Sequence, residues 1–416
     1  MDFTLGKRRW IPVVSAVFIQ LCLGSTYIWS VFQGGIAQAL FGGNNALAGL
    51  TFSLMIATLS VGGIIAGFLR SKGVSSKICV VIGGAVLSVG FIAASFTTAF
   101  APWLLWLTFG VMGGVGMGMA YSTTISTAQK WFPDKKGLVT GLIISALGMG
   151  GVLFTPLAEW LMRLLSSGAA GSGELKTFLV LGGLFLIICC GGGFFIVEPP
   201  KDYLPQNYVS KQSAPLTAQY FSPKEMLKTY QFYFLALAFL LAVMGGLMVI
   251  GFAKPIAQAK GMGEAAAAGV IIISLSNAAG RLFFGFLSDR LGAKRTLIAL
   301  LSVNTFLYLL VNAAQSYFIF ALIAVIGFVY GGFLSLFATI TADYFGQKYM
   351  TFNYGLVMLG FGAGGVISSF VAGHFKNIAV NDINLMFPAF IIASAASLAA
   401  LVLIIFIKPP QLKSRL

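Results

Sequence analysis

No charged residue occurs between Trp10 and Gln33, and runs of this kind recur along the whole chain. About 20 consecutive apolar residues cross a bilayer as one helix. In water every such run would have to be buried. A chain of 416 residues with 58% hydrophobic and only 9% charged residues lacks the polar surface to do that. Typical globular proteins carry about 25% charged residues. Lipid solvates an apolar exterior, so the composition points to a membrane protein. It excludes a soluble enzyme, a disordered chain and a disulfide scaffold. Cut at charge clusters and Pro/Gly breaks, the runs predict twelve spans: 10–33, 46–69, 77–99, 102–129, 137–162, 176–197, 229–256, 264–288, 296–313, 316–342, 350–374 and 383–407. The first is too long for a signal-peptide core and is read as a retained helix.

Lysine and arginine set the orientation. With the N-terminus in the cytoplasm, the inner segments hold 20 of them and the outer segments 5. Cytoplasmic loops are the cation-rich ones, so both termini are placed inside, in a bacterial inner membrane. One cation belongs to neither side: Arg281.

The net charge of +15 sits in short clusters between apolar runs, with no basic face interleaved with aromatics. That excludes nucleic acid and names the bilayer as the partner. Cys22, Cys79, Cys189 and Cys190 all fall inside apolar runs and read as small buried side chains. One histidine in the chain excludes a His-rich metal site. No G-x-x-x-x-G-K-[ST] sequence is present, so ATP-driven transport has no support. No cofactor or metal is expected. An intramembrane enzyme would need a catalytic pair at mid-depth, and none is visible. A sensor would usually carry an attached soluble domain.

The chain divides at its one long polar stretch, the proline-containing 199–228, read as a cytoplasmic linker between an N-terminal bundle (1–198) and a C-terminal bundle (229–416). A short surface helix is expected near 223–228. An internal repeat supports two halves. Thr127-Ala128 recurs as Thr341-Ala342, and at the same offset Gly148, Gly150 and Gly151 match Gly362, Gly364 and Gly365. Span two ends GFLRSKG from Gly67 and span eight ends GFLSDRLG from Gly285. Two parallel six-helix repeats, all α, describe the major facilitator architecture.

Arg281 is the sharpest functional signal. It lies eight residues before Asp289, about 12 Å along a helix, and half the hydrocarbon thickness is about 15 Å. A charge near the midplane costs about 2.5–3.5 kcal/mol even on the lenient scale. A transporter tolerates it when the charge faces a cavity and meets an anion, and a guanidinium matches a carboxylate bidentately. The bland alternative is that Arg281 bonds to backbone carbonyls and holds helices together. Asn277, one turn earlier, donates to a carboxylate, accepts from a hydroxyl, or merely bridges helices. Gly110, Gly114 and Gly118 of span four, and Gly137 and Gly141 of span five, form faces for close helix packing.

GFLSDRLGAKR at 285–295 resembles the loop motif of the major facilitator superfamily. GFLRSKGVSSK at 67–77 is a degraded copy with Ser71 where the family has Asp. GSTYIWSVF (24–32), KWFPDKKGLVTG (130–141), EPPKDYLP (198–205), SPKEMLKTYQFY (222–233) and NAAGRLFFGFLSDRLG (277–292) resemble the oxalate/formate antiporter family and the related monocarboxylate transporters. The resemblance runs over essentially the whole chain. It implies a secondary transporter of small monocarboxylates of the lactate or pyruvate type, proton-coupled, by alternating access. An oxalate/formate-type organic anion exchanger is the alternative. It implies a cavity lined by spans one, four and ten, which places Tyr27, Tyr121 and Tyr330 beside substrate, with Tyr354 a further candidate. It gives Asp289 and Arg290 a gating role. Two departures stand out. The family's span-eight Asp is Asn277 here, and its span-one Lys has no equivalent. A span-eleven Lys of the oxalate exchangers is also missing from Tyr354–Gly373. One midplane cation suits a monoanion. The chain is read as a monomer.

Overall fold

The computed structural model describes residues 8–200, 203, 205, 220–259, 266–313, 318–378 and 383–411. Side chains at 249–259, 266–271, 312–313, 376–377 and 383–384 are excepted. Most of the linker therefore lies outside the described residues. So do Lys7, Lys201, Lys211, Lys260, Glu264, Lys413 and Arg415, and the side chains of Lys254 and Lys376.

Among the described residues there are twelve long helices and no strand. They are α1 Trp10–Leu40, α2 Asn45–Ser71, α3 Ser76–Ala94, α4 Trp103–Trp131, α5 Lys136–Leu165 and α6 Ser172–Gly193, then α7 Tyr230–Ala259, α8 Ala266–Leu291, α9 Ala293–Ala313, α10 Phe318–Phe345, α11 Met350–Ile378 and α12 Phe387–Phe406. Eleven contain segments long and apolar enough to cross a membrane; α8, with 26 residues, is not among those eleven. Several outlast the predicted spans, because a helix continues past the hydrocarbon until a cap stops it. Asp289 and Arg290 consequently lie in the last turn of α8, not in a loop. Gly292, with φ of 90°, ends that helix.

By internal packing the chain forms two units, Met1–Pro133 with Ala146–Tyr208, and Asp134–Ser145 with Val209–Leu416. The first ten residues of α5 thus pack with the second unit.

In the first unit two helices depart from α geometry. α1 runs as a 3-10 helix over Gly24–Ile28. A Cβ on Gly24 would overlap the backbone of α5 at Leu147 and Gly150, and Thr26 Oγ1 donates to the Leu23 carbonyl at 2.9 Å. α4 is π-helical over Trp106–Met112. Beside them, Trp29 of α1 packs on Phe109 of α4 at 4.9 Å, and Phe109 on Phe178 of α6 at 5.1 Å. Short 3-10 and π segments inside long helices are frequent at hinges and functional sites.

In the second unit the core is Met248, Tyr308, Ile323, Ile326 and Phe390, from α7, α9, α10 and α12. The expected surface helix near 223–228 is a single turn, Pro223–Met226. Its capping box explains why it starts there: Ser222 accepts from the Glu225 N–H, and the Glu225 side chain accepts from the Ser222 N–H. Phe221 anchors this turn, donating its N–H to Phe345 at 3.0 Å and accepting from Asn353 Nδ2 at 3.0 Å.

Candidate functional site

Arg281 lies ten residues before Leu291, about 15 Å along α8, and is 3% exposed. Its Nε donates to Asn277 Oδ1 at 2.8 Å, and its Nη1 to the Ile144 carbonyl of α5 at 2.8 Å. The guanidinium thus bonds a backbone carbonyl, as the bland alternative expects, and it does so while buried. Asn277 is spent as an acceptor toward Arg281. It orients the guanidinium with a neutral oxygen. A carboxylate in that place would form an ion pair.

The backbone around Arg281 is held from two sides. Its carbonyl accepts from Ser335 Oγ of α10 at 2.9 Å. A Cβ on Gly141 would crowd that same carbonyl, and one on Gly331 would overlap the Asn277 carbonyl and come 3.2 Å from the Arg281 nitrogen. Ser145 Oγ of α5 donates to the Ala278 carbonyl at 2.7 Å. Glycine and serine thus let α5 and α10 approach α8 to backbone contact, which fixes Arg281 in depth and direction.

Tyr330 sits in the same unit. Its ring lies on Gly246 of α7, so closely that a Cβ there would overlap the ring. The adjacent Gly331 faces Asn277 and Arg281. Tyr354 of α11 is fully buried. In the first unit Tyr121 of α4 is buried and Tyr27, inside the 3-10 stretch of α1, is 36% exposed. The structure brings Arg281, Asn277 and the Tyr330 segment together within the second unit, and Tyr27 and Tyr121 belong to the first.

At one end of each unit charge does structural work. Asp289 accepts from the N–H groups of Gly137 and Leu138 at 2.7 and 2.8 Å. A carboxylate here caps the N-terminus of α5, where the helix dipole favours negative charge. Arg290 stacks on Phe286, 4.6 Å from the ring centroid. Lys136 pairs with Asp343 at 2.9 Å. In the first unit Glu198 accepts from Arg70, from Ser76 Oγ at 2.7 Å and from Lys130 Nζ at 3.3 Å. Thr127 Oγ1 donates to Ser76 at 2.9 Å. Burial pushes the Glu198 carboxyl up, but Lys130 and Arg70 outweigh it and bring it down to about 2. In the sequence Glu198 appears only as the first residue of EPPKDYLP; its partners are 68 and 128 residues away. Gln20, fully buried in α1 and bonded to Thr124 at 2.9 Å, also escaped notice. His374 is exposed. Among the described residues no cluster of His, Cys, Asp and Glu suits a metal.

The sequence matches the profile of the Major Facilitator Superfamily over residues 14–303 and 267–416, and the chain belongs to that family of membrane transporters. Its relatives narrow the class. It is 31% identical to an uncharacterized MFS-type transporter, YhjX, of Escherichia coli over 86% of each chain. It is 28% identical to the oxalate:formate antiporter of Oxalobacter formigenes over 97% of this chain and 92% of that one. Monocarboxylate transporter 2 of Meriones unguiculatus is 31% identical over 44% of this chain and 35% of its own. Among solved structures, the transporter FucP in its outward conformation aligns with a TM-score of 0.72 at 15% identity, over 96% and 99% of the two chains. That likeness confirms the major facilitator fold.

Proposed function

We propose that this transporter carries a small monocarboxylate of the lactate or pyruvate type, together with a proton, by alternating access in a bacterial inner membrane. The observation that carries the reading is Arg281: buried in α8, backbone-clamped, and oriented by a neutral asparagine. Among the described residues the other Lys and Arg side chains lie at helix ends or in connections. A dianion would bring one uncompensated charge into a low-dielectric site, at a cost of several kcal/mol. A monoanion is matched. Asn277 positions Arg281, while Tyr27, Tyr121, Tyr330 and Tyr354 are candidates for the substrate's oxygen and methyl groups. Asp289 and Arg290 are gating residues in this reading, with release of the α5 N-terminus from Asp289 accompanying the change of state. Both termini are placed in the cytoplasm by the 20-to-5 cation bias, and the transporter is taken to work as a monomer.

Likeness over nearly the full length to an oxalate:formate antiporter favours a second reading, organic-anion exchange. Uptake into proteoliposomes separates the two. The proposal expects lactate uptake driven by an inward proton gradient and little oxalate uptake. Oxalate uptake equal to that of lactate would defeat the charge argument. Lactate uptake that ignores the gradient and a protonophore but needs internal anion would establish exchange.

A further inference from the structure

The second unit carries a groove of about 510 Å³ on its outer surface, between α7 and α12. Leu237 and Leu241 line it from α7, and Ala395, Leu398, Ala399 and Val402 from α12. The lining is apolar throughout. Leu237, Leu398 and Val402 are 45–50% exposed, so the groove opens away from the unit's core. From Ala395 to Leu403 of α12, the groove runs about 12 Å.

One end of this groove changes character. On α7, Tyr233 and Tyr230 precede Leu237 by four and seven residues, on the same helix face, and both are exposed. On α12, Phe406 follows Val402 by four and is 68% exposed. Beyond these rings stand lysines. Gln231 Nε2 donates to the Lys408 carbonyl at 3.1 Å, which sets Lys408 beside the first turn of α7. Lys294 donates to the carbonyls of Ile405 and Ile407 at 3.0 and 2.6 Å, and it lies near enough to Lys408 for the two ammonium groups to repel each other. Lys228, three residues before Gln231, is exposed. None of the three lysines pairs with a carboxylate among the described residues. The nearest acid in sequence, Glu225, is engaged by Ser222.

We propose that the groove holds an acyl chain of an anionic glycerophospholipid, with its phosphate among Lys228, Lys294 and Lys408 and the tyrosines at the depth of the ester groups. An apolar slot in line with three lysines that pair with no carboxylate among the described residues matches a molecule that is apolar along its length and negative at one end. Amphipathic rings belong at that boundary. Cations near a membrane surface attract anionic lipid with about 1 kcal/mol each.

Native mass spectrometry tests the site. The purified chain is released from micelles holding equal phosphatidylglycerol and phosphatidylcholine. Wild type is expected to retain phosphatidylglycerol preferentially. Lys228→Gln and Lys408→Gln should each lower that preference about fivefold, and Lys408→Arg should keep it. Ala399→Trp, filling the groove, should lower retention of both lipids while the thermal midpoint shows the protein folded. Equal retention by wild type would overturn the proposal, as would Gln variants indistinguishable from wild type. A dimer lost in Ala399→Trp would overturn it too, by assigning the groove to a second copy. Transport of any substrate is not read, so the outcome is independent of the proposed function.

Discussion

One helix crossing is built twice in this chain, once around a glycine and once around a buried cation. In the first unit Gly118 of α4 lies on α2, where a Cβ would overlap the Leu59 carbonyl and come 3.0 Å from the Gly63 nitrogen. In the second unit Gly331 of α10 lies on α8, where a Cβ would overlap the Asn277 carbonyl and come 3.2 Å from the Arg281 nitrogen. Aligning the GFL tripeptides at Gly67 and Gly285 sets Leu59 against Asn277 and Gly63 against Arg281. The backbone contact is the same. The first copy fills it with leucine and a second glycine, the second with an asparagine and a buried cation. The crossing itself is therefore made without a cation in the first unit. Under the proposed function, the charge of Arg281 is there for the carboxylate it binds.

The largest expected effects come from exchanging these residues. Placing the first unit's pair in the second, Asn277→Leu with Arg281→Gly, should leave a folded protein whose lactate uptake falls on the order of 100-fold or more, since charge-assisted bonds of about 1.5–3 kcal/mol each are lost. Placing Arg at position 63 should instead destabilise the first unit by several kcal/mol, because nothing there is built to receive the charge. Thermal unfolding in detergent distinguishes the two results. If Gly63→Arg melted like wild type, the two crossings would be equally tolerant and the comparison would fail.

Smaller effects sharpen the contrast. Gly118→Ala and Gly331→Ala each insert a methyl into a backbone contact and should destabilise by about 1–3 kcal/mol. Only Gly331→Ala should also raise KM for uptake, because it displaces Arg281; equal KM changes in both would argue against that link. The two charged ends differ as well. Glu198→Gln should cost about 1 kcal/mol at pH 7, a modest figure because the carboxylate is 38% exposed. Its pKa is lowered from 4.5 to about 2. The stabilisation is therefore full above pH 4.5 and is lost as pH falls toward 2, so the gap between variant and wild type in thermal unfolding should close over that window. Asp289→Asn keeps an acceptor at the α5 N-terminus and should cost 1 kcal/mol or less. Its signature is an altered rate of side-specific cysteine labelling. Unchanged labelling with unchanged transport would remove Asp289 from the gating role.

Much of this was legible in the sequence, for reasons that differ by residue. Membrane spans were legible because lipid imposes length and composition on every one of them. Arg281 stood out because a lone cation in an apolar run has few reasons to exist. The repeat was legible because glycines at helix crossings tolerate no substitute. What stayed hidden were partners without a side-chain signature. Asp289 bonds to backbone N–H groups and Arg281 to the Ile144 carbonyl, and any residue supplies those. Arg70, Lys130 and Glu198 looked like three separate loop charges because their meeting depends on three helices ending at one level. The helical irregularities at Gly24–Ile28 and Trp106–Met112 had no cue beyond one glycine.

Lactate uptake by Arg281→Gln, with Arg281→Lys beside it, tests the central claim most directly. Both are reconstituted at matched yield and thermal midpoint with a constant inward proton gradient. The account predicts no uptake above empty liposomes for Gln, and weak uptake for Lys because a point charge cannot replace the planar fork. Wild-type uptake by a folded Arg281→Gln protein would contradict it.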